Sequence, residues 1–321
     1  MALSEFELIE RFFSSSECVR DDVLLGVGDD CALLRVPAGE NLAVSIDTLV
    51  AGVHFYPDAD PEKLGHKALA VNLSDLAAMG AKPAWATLAL TLPHSDREWL
   101  TSFMRGFSVL ANRHRVQLVG GDTTRGPLTI SVQVHGFMPQ GKALTRDAAC
   151  PADMIGVTGT LGDAGLALMR LAGGKQPSRS LRDRLECPMP RLATGMALRG
   201  LANAAIDISD GLLADLAHIC KRSEVGATLD LRKIPLSPEV DEYVKRSGDW
   251  SLPLTAGDDY ELCFSVPPGY CAQVEAALSG IKGGFTWIGM IEKDQGVRCL
   301  GLDGLQVETG PGGYQHFQSA G

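Results

Sequence analysis

Aspartates at the ends of apolar runs are the residues of this 321-residue chain with the clearest chemical potential. Gly28-Asp29-Asp30, Ser45-Ile46-Asp47-Thr48, Gly121-Asp122-Thr123, Asp207-Ile208-Ser209-Asp210 and Gly257-Asp258-Asp259 each follow or close a stretch with strand character. Asp75 joins them from a helical pattern in which Leu69, Leu73, Leu76 and Met79 recur at three- and four-residue spacing, while Asn72 and Asp75 share a neighbouring face. A lone helical aspartate is usually a solvated surface group. Six carboxylates converging on one crevice are another matter, because each like-charged pair at about 4 Å costs roughly 4 kcal/mol at an effective dielectric near 20. Bound cations must offset that repulsion. Carboxylate and hydroxyl oxygens are hard donors suited to Mg²⁺ or Mn²⁺, and magnesium prefers a few carboxylates together with substrate phosphates. The chemistry expected is therefore metal-assisted work on a phosphorylated substrate.

The phosphate-binding motifs of the common nucleotide folds are missing. No GxxxxGK[ST] occurs, and Gly26-Val27-Gly28-Asp29-Asp30-Cys31 does not satisfy GxGxxG. A kinase-type His-Arg-Asp loop and a GxSxG elbow are missing too. Gly120-Gly121-Asp122 instead offers backbone N–H groups beside a carboxylate, a cradle for phosphate and metal together.

The elements that must position these residues alternate between strand and helix throughout, which makes the fold α/β or α+β. An amphipathic helix is expected over residues 4–13, carrying Phe6, Ile9 and Phe13, and the Asp75 helix over 61–80, ended by Gly80 and Pro83. Strands are expected over 41–47, 84–92, 117–119, 128–137 and 154–158, and a helix over 96–113. Residues 173–190, with three arginines and three prolines, read as an exposed connection. Further strands fall at 205–208, 226–231, 260–266, 284–290 and 297–301. A helix begins at Gly211, with Ser209 and Asp210 in its N-terminal turn. The pattern breaks near Ala148-Ala149-Cys150-Pro151, so two domains are expected, residues 1–148 and 149–321, which also suits the length.

A formal net charge of -10 without a dense basic cluster argues against a nucleic-acid partner. Eight cysteines with no CxxC pair read as reduced core thiols, and seven histidines show no zinc spacing. No apolar run is long enough to span a bilayer, and the acidic start lacks the features of a signal peptide, so a cytoplasmic protein with no membrane partner is expected.

Gly26-Val27-Gly28-Asp29-Asp30-Cys31-Ala32, Asp47-Thr48-Leu49-Val50-Ala51-Gly52-Val53-His54-Phe55, Lys67 through Pro83, Val119-Gly120-Gly121-Asp122-Thr123-Thr124, Ile206-Asp207-Ile208-Ser209-Asp210-Gly211-Leu212 and Tyr260-Glu261-Leu262-Cys263-Phe264 together resemble the thiamine-monophosphate kinase family. Single GDD or GGDT turns are shared more widely, among the aminoimidazole-ribonucleotide synthetase, hydrogenase-maturation and selenophosphate synthetase proteins. The resemblance implies a two-domain aminoimidazole-ribonucleotide synthetase-like fold. Its N-terminal sheet with helices would bind metal and ATP and form a homodimer, and its C-terminal α/β domain would contribute to the active-site cleft. It implies ATP-dependent phosphorylation of thiamine monophosphate to thiamine diphosphate with several Mg²⁺ ions. By motif position, Asp30, Ser45, Ile46, Asp47, Asp75, Asp122, Asp207 and Asp210 take the metal roles, and Gly121, Asp122, Arg146 and Ser209 the ATP roles. His54, Asp258 and Tyr314 fall at the thiamine end, and Asp47, Asp75, Asp122 and Arg146 carry catalysis. The chain departs from the family twice: Ile46 stands where Thr is common, leaving only a backbone carbonyl for a metal, and Asp258 stands where Glu is often found. A synthetase of the same superfamily acting on another acceptor is the alternative activity, and a nucleotide-binding scaffold the non-catalytic one.

Overall fold

A computed structural model describes residues 18–307, so the helix expected over 4–13 and Tyr314 lie outside the described residues. Two compact units are present, one made of the chain up to Leu76 with Ala81–Gly141, the other of Ala77–Gly80 with the chain from Lys142 onward.

In the first unit, β1 (Val23–Leu25) and β2 (Leu33–Leu34) pair antiparallel. A four-stranded sheet contains β3 (Glu40–Val50), β4 (Lys82–Leu92), β5 (Gln117–Arg125) and β6 (Thr129–Pro139) in the order β3-β6-β4-β5. Alternation sorts its side chains. Ala86, Leu88 and Leu90 pair in register with Val134, Val132 and Ile130, and all six are buried on one face. The opposite face stays open along β3, where Leu42, Val44 and Ile46 are 42%, 51% and 59% exposed. Among the described residues one end of it is covered: Trp85 packs with Val23, Ala32 and Leu34, and its indole N–H donates to Asp22 Oδ1 at 2.8 Å.

Helix α1 (Pro61–Ala78) starts where Asp60 Oδ1 accepts the Glu62 N–H at 2.9 Å and Pro61 occupies a position whose N–H would have no partner. Gly80, at φ 70°, ends it as expected. The expected acidic stripe is not a solvated face, however. Residues from Ala68 to Ser74 are all buried, because α1 is enclosed from more than one side. Helix α2 (Arg97–His114) crosses it so closely that a Cβ on Gly65 would lie 2.0 Å from the Phe103 carbonyl oxygen.

The second unit is built on a seven-stranded sheet of β7 (Met154–Thr158), β8 (Ala204–Asp207), β9 (Gly226–Asp230), β10 (Leu262–Val266), β11 (Phe285–Glu292), β12 (Gly296–Leu300) and β13 (Gln306–Val307). Its order is β13-β12-β9-β11-β7-β10-β8, with β12 and β9 parallel and the other neighbours antiparallel. Helices α3 (Asp163–Ala172), α4 (Arg179–Glu186), α5 (Leu192–Leu198), α6 (Leu212–Ser223), α7 (Pro238–Ser247), α8 (Ser251–Thr255) and α9 (Cys271–Leu278) accompany it. Ile155, Val157, Ile206, Ile208, Leu212 and Leu216 belong to its main core.

The structure departs from two expectations. Residues 173–190 are not a bare connection: Ser178 caps α4, and Leu181 and Leu185, one turn apart, pack with Leu166, Val240 and Val244. Two buried leucines are enough to dock a two-turn helix whose other positions, Ser180 apart, are charged, and charge dominates the sequence signal. Nor are the cysteines mainly core thiols. All eight are free, but only Cys220, Cys263 and Cys299 are buried.

Candidate active site

In the first unit, Ser45 and Asp47 lie on the helix-covered face of β3 and meet the Asn72–Asp75 stripe of α1. The Ser45 hydroxyl donates to Asp75 Oδ2. The Asp47 N–H, on an edge strand, donates to Asn72 Oδ1 at 2.9 Å, and Asn72 donates back into its own helix, to the Ala68 carbonyl at 3.0 Å. The i,i+3 spacing seen in the sequence thus docks α1 onto β3. Ile46 points to the open face, away from its neighbours, so whatever it offers a cation is its backbone carbonyl.

Asp47 and Asp122 sit inside strands and not at strand ends. Gly120-Gly121-Asp122 is not a loop cradle but part of edge strand β5, pairing with Thr87, Leu88 and Ala89 of β4. Glycine is needed at 121, since a Cβ there would lie 1.9 Å from the Leu88 carbonyl oxygen. Register places exposed Asp122 in the row of Ala89, Ser131 and Thr48 on the open face, one row from Asp47 and on the other side of the sheet. Asp30 is exposed, and its N–H donates to Asp29 Oδ1 at 3.0 Å. His54 closes a tight turn: its Nδ1 accepts the Val50 N–H at 3.0 Å, which leaves the ring proton on Nε2.

In the second unit, Asp207 ends edge strand β8 and is only 4% exposed. Ser209 and Asp210 precede α6 and do not form its first turn, because Gly211 breaks the backbone at φ 115°. A residue the motifs did not single out shapes this turn. Asp215 Oδ2 accepts the N–H groups of Ser209, Asp210 and Gly211 at 3.0, 3.0 and 3.1 Å. Burial pushes the Asp215 carboxyl up to about 7, the Asp210 charge adds to this, and the three N–H donors oppose it. Its only sequence signal was an acid in the first turn of a helix, which is common on surfaces. Arg146 is exposed, and its carbonyl accepts the Ser223 hydroxyl at 2.9 Å.

Asp258 lies in a constrained turn. Gly257, Asp258 and Tyr260 all have left-handed backbones, at φ 71°, 59° and 49°, and such a conformation costs a non-glycine residue about 1–2 kcal/mol. Glycine is required at 257, where a Cβ would meet the Ser209 carbonyl oxygen at 2.4 Å. Buried charges anchor the next residues. Asp259, 2% exposed, accepts the Gly162 N–H at 3.0 Å, and burial raises its carboxyl well above the usual range. Glu261, fully buried, binds Arg191, takes Arg184 Nη2 at 2.8 Å and accepts the Thr158 hydroxyl at 2.5 Å. Burial alone would lower Arg184, but Glu261, Asp259 and Asp163 hold its guanidinium charged. Neither arginine was marked by sequence, because both fall in the segment read as exposed or at its end.

The structure therefore brings Ser45 and Asp75 together in one unit, and Asp258 against Ser209 in the other, where the Asp258 N–H donates to the Ser209 carbonyl at 2.8 Å. Among the described residues it gathers no group of three or more His, Cys, Asp or Glu side chains that could hold a metal ion. The donors near α1 and β3 are all oxygen, carboxylate and hydroxyl, which is the set a hard divalent cation takes.

Residues 28–138 match AIR synthase related protein, N-terminal domain, and residues 151–300 match AIR synthase related protein, C-terminal domain. That defines the class: a protein with two AIR synthase related domains. Thiamine-monophosphate kinase of Escherichia coli (strain K12) is 50% identical over 323 residues, covering 99% of each chain. The crystal structure of thiamine-monophosphate kinase from Stenotrophomonas maltophilia K279a superposes with a TM-score of 0.87 at 46% identity, covering 95% of this chain and 98% of that one. AaThiL, solved in complex with AMPPCP and TMP, superposes with a TM-score of 0.76 at 32% identity, over 88% and 89% of the two chains. The chain belongs to the thiamine-monophosphate kinase family.

Proposed function

We propose that this protein transfers the γ-phosphoryl group of ATP to the terminal phosphate of thiamine monophosphate, releasing ADP and thiamine diphosphate. The observation that carries this is the relative's complex with AMPPCP and TMP, at 32% identity across most of both chains. A terminal phosphate oxygen attacks the γ-phosphorus while the bond to the β,γ-bridging oxygen of ADP breaks. The attacking oxygen is already anionic, so no strong base is required, and positioning with charge neutralisation supplies the rate.

The oxygen donors Asp30, Ser45, Asp47, Asp75, Asp122, Asp207 and Asp210, with the Ile46 carbonyl, are the proposed holders of Mg²⁺. Bound there, the ions would neutralise phosphate charge. Asn72 fixes the β3 backbone at Asp47, and the Ser45 hydroxyl orients Asp75. Gly121, Arg146 and Ser209 are assigned to ATP, with the exposed Arg146 guanidinium suited to a phosphate. His54 can donate from Nε2 to a phosphate oxygen, and Asp258 can face the cationic thiazolium. Tyr314 keeps its acceptor-side assignment by resemblance alone. Residues 1–148 would thus supply most metal ligands, and residues 149–321 Asp207, Ser209, Asp210 and Asp258. No observation favours the synthetase reading.

A homodimer is proposed with it: β3 is an edge strand with exposed Leu42, Val44 and Ile46, a patch a second copy would cover. Sedimentation should show a dimer, and Leu42→Glu with Val44→Glu a monomer. No helix among the described residues is long and apolar enough to cross a membrane, and eight free thiols suit the reducing cytoplasm. The deciding assay supplies ATP, Mg²⁺ and thiamine monophosphate, with a chelator control. Equal, chelator-sensitive formation of thiamine diphosphate and ADP is expected. ADP with inorganic phosphate and no thiamine diphosphate would overturn the proposal.

A further inference from the structure

We infer that Tyr260 is a positioning residue for the phosphoryl acceptor, acting by holding the Asp258 carboxylate. The inference rests on the reading that Asp258 faces thiamine monophosphate. The Tyr260 hydroxyl donates to Asp258 Oδ1 at 3.0 Å across a two-residue separation. Ordinary extended backbone would send side chains i and i+2 to the same side but roughly parallel. Here both residues have left-handed backbones, at φ 59° and 49°, and the turn folds the ring onto the carboxylate.

A backbone in this region persists only where its surroundings over-determine it, and such conformations cluster at functional sites. Here the surroundings are hydrogen bonds and ion pairs to neighbouring segments. The Asp258 N–H donates to the Ser209 carbonyl and the Tyr260 N–H to the Ile208 carbonyl, each at 2.8 Å, and the Ile208 N–H donates back to the Glu261 carbonyl at 2.8 Å. Between and after them, Asp259 is tied to the Gly162 N–H and Glu261 to Arg184 and Arg191. The main chain from 258 to 261 is therefore fastened, and the freedom left at Asp258 is rotation of its side chain. Tyr260, with only 9% of its surface exposed, is packed firmly enough to limit that rotation. A hydroxyl donor also suits a carboxylate that must stay anionic to attract a cation.

Three variants in the full-length protein test this: Tyr260→Phe, Asp258→Asn and the double variant, each with separate KM values for thiamine monophosphate and ATP. Removing one hydroxyl while keeping the ring is expected to raise KM for thiamine monophosphate about three- to ten-fold, with kcat and KM for ATP within about two-fold. Asp258→Asn should raise the same KM at least as much, and the double variant should be no worse than Asp258→Asn. Fluorotyrosine at 260, which retains the hydroxyl, should restore the wild-type KM. A harmless Tyr260→Phe beside a damaging Asp258→Asn overturns the inference, as do effects that multiply in the double variant or fall equally on both substrates. A harmless Asp258→Asn overturns the acceptor-side reading itself.

Discussion

Gly28-Asp29-Asp30 and Gly257-Asp258-Asp259 are the same tripeptide in two different environments. In the first, all three residues are exposed, and the Asp29 carboxylate accepts its neighbour's N–H. In the second, Gly257 and Asp258 have left-handed backbones, Asp259 is sealed onto the Gly162 N–H, and Glu261 two residues on is neutralised by two arginines. The tripeptide does not say which acid can reach a cation. Burial and arginine partners do: an aspartate with open oxygen is available to a ligand, whereas one inside an ionic core is part of the scaffold that aims its neighbour.

The largest effect is expected at Glu261. Glu261→Ala would strand Arg184 and Arg191 in a buried setting and should cost about 3–5 kcal/mol of stability; denaturant unfolding showing less than about 1 kcal/mol would remove the scaffold role. Next come the proposed cation ligands. Asp30→Asn and Asp75→Asn should each lower kcat by on the order of a hundred- to a thousand-fold, about 3–4 kcal/mol of barrier, with unfolding midpoints unchanged. Near-normal turnover in both variants would mean that these acids hold no catalytic cation.

The smallest effect is a pH dependence. Because burial raises Asp259 in the folded state, its protonated form is favoured there, and the associated stability is present below the unfolded value near 3.8 and lost as pH rises. Asp259→Asn, which still accepts the Gly162 N–H, lacks that loss. Relative to wild type it should therefore be more stable at pH 8 than at pH 5 in paired urea titrations. A constant difference across that range would contradict the buried, proton-favouring environment.

Much of the first unit was legible. The Asp75 helix, its glycine end and the strands around 41–47 and 84–92 appear close to where periodicity and end signals put them, because those signals act within a turn or a pleat. The strand expected over 117–119 stops short of Gly120–Thr124, because glycine usually ends a strand, yet a neighbouring strand supplies the pairing that keeps this stretch extended. Asp215, Arg184 and Arg191 carried no distinguishing pattern, since an acid in a first helical turn or an arginine among charges is ordinary until its partner is known.

By itself the sequence determined the alternation of helix and strand, the recurrence of acids beside β-structure, and, through the joint resemblance of its motifs, the family. These rest on residues a few positions apart, or on the residue types themselves. Tertiary structure alone decided which acids stay open, which face of the sheet each occupies, and how the Asp258 turn is held. Those outcomes depend on partners such as Thr158 and Glu261, 103 positions apart, or Arg191 and Glu261, 70 apart. Burial is a property of what packs around a group, and no local pattern encodes it.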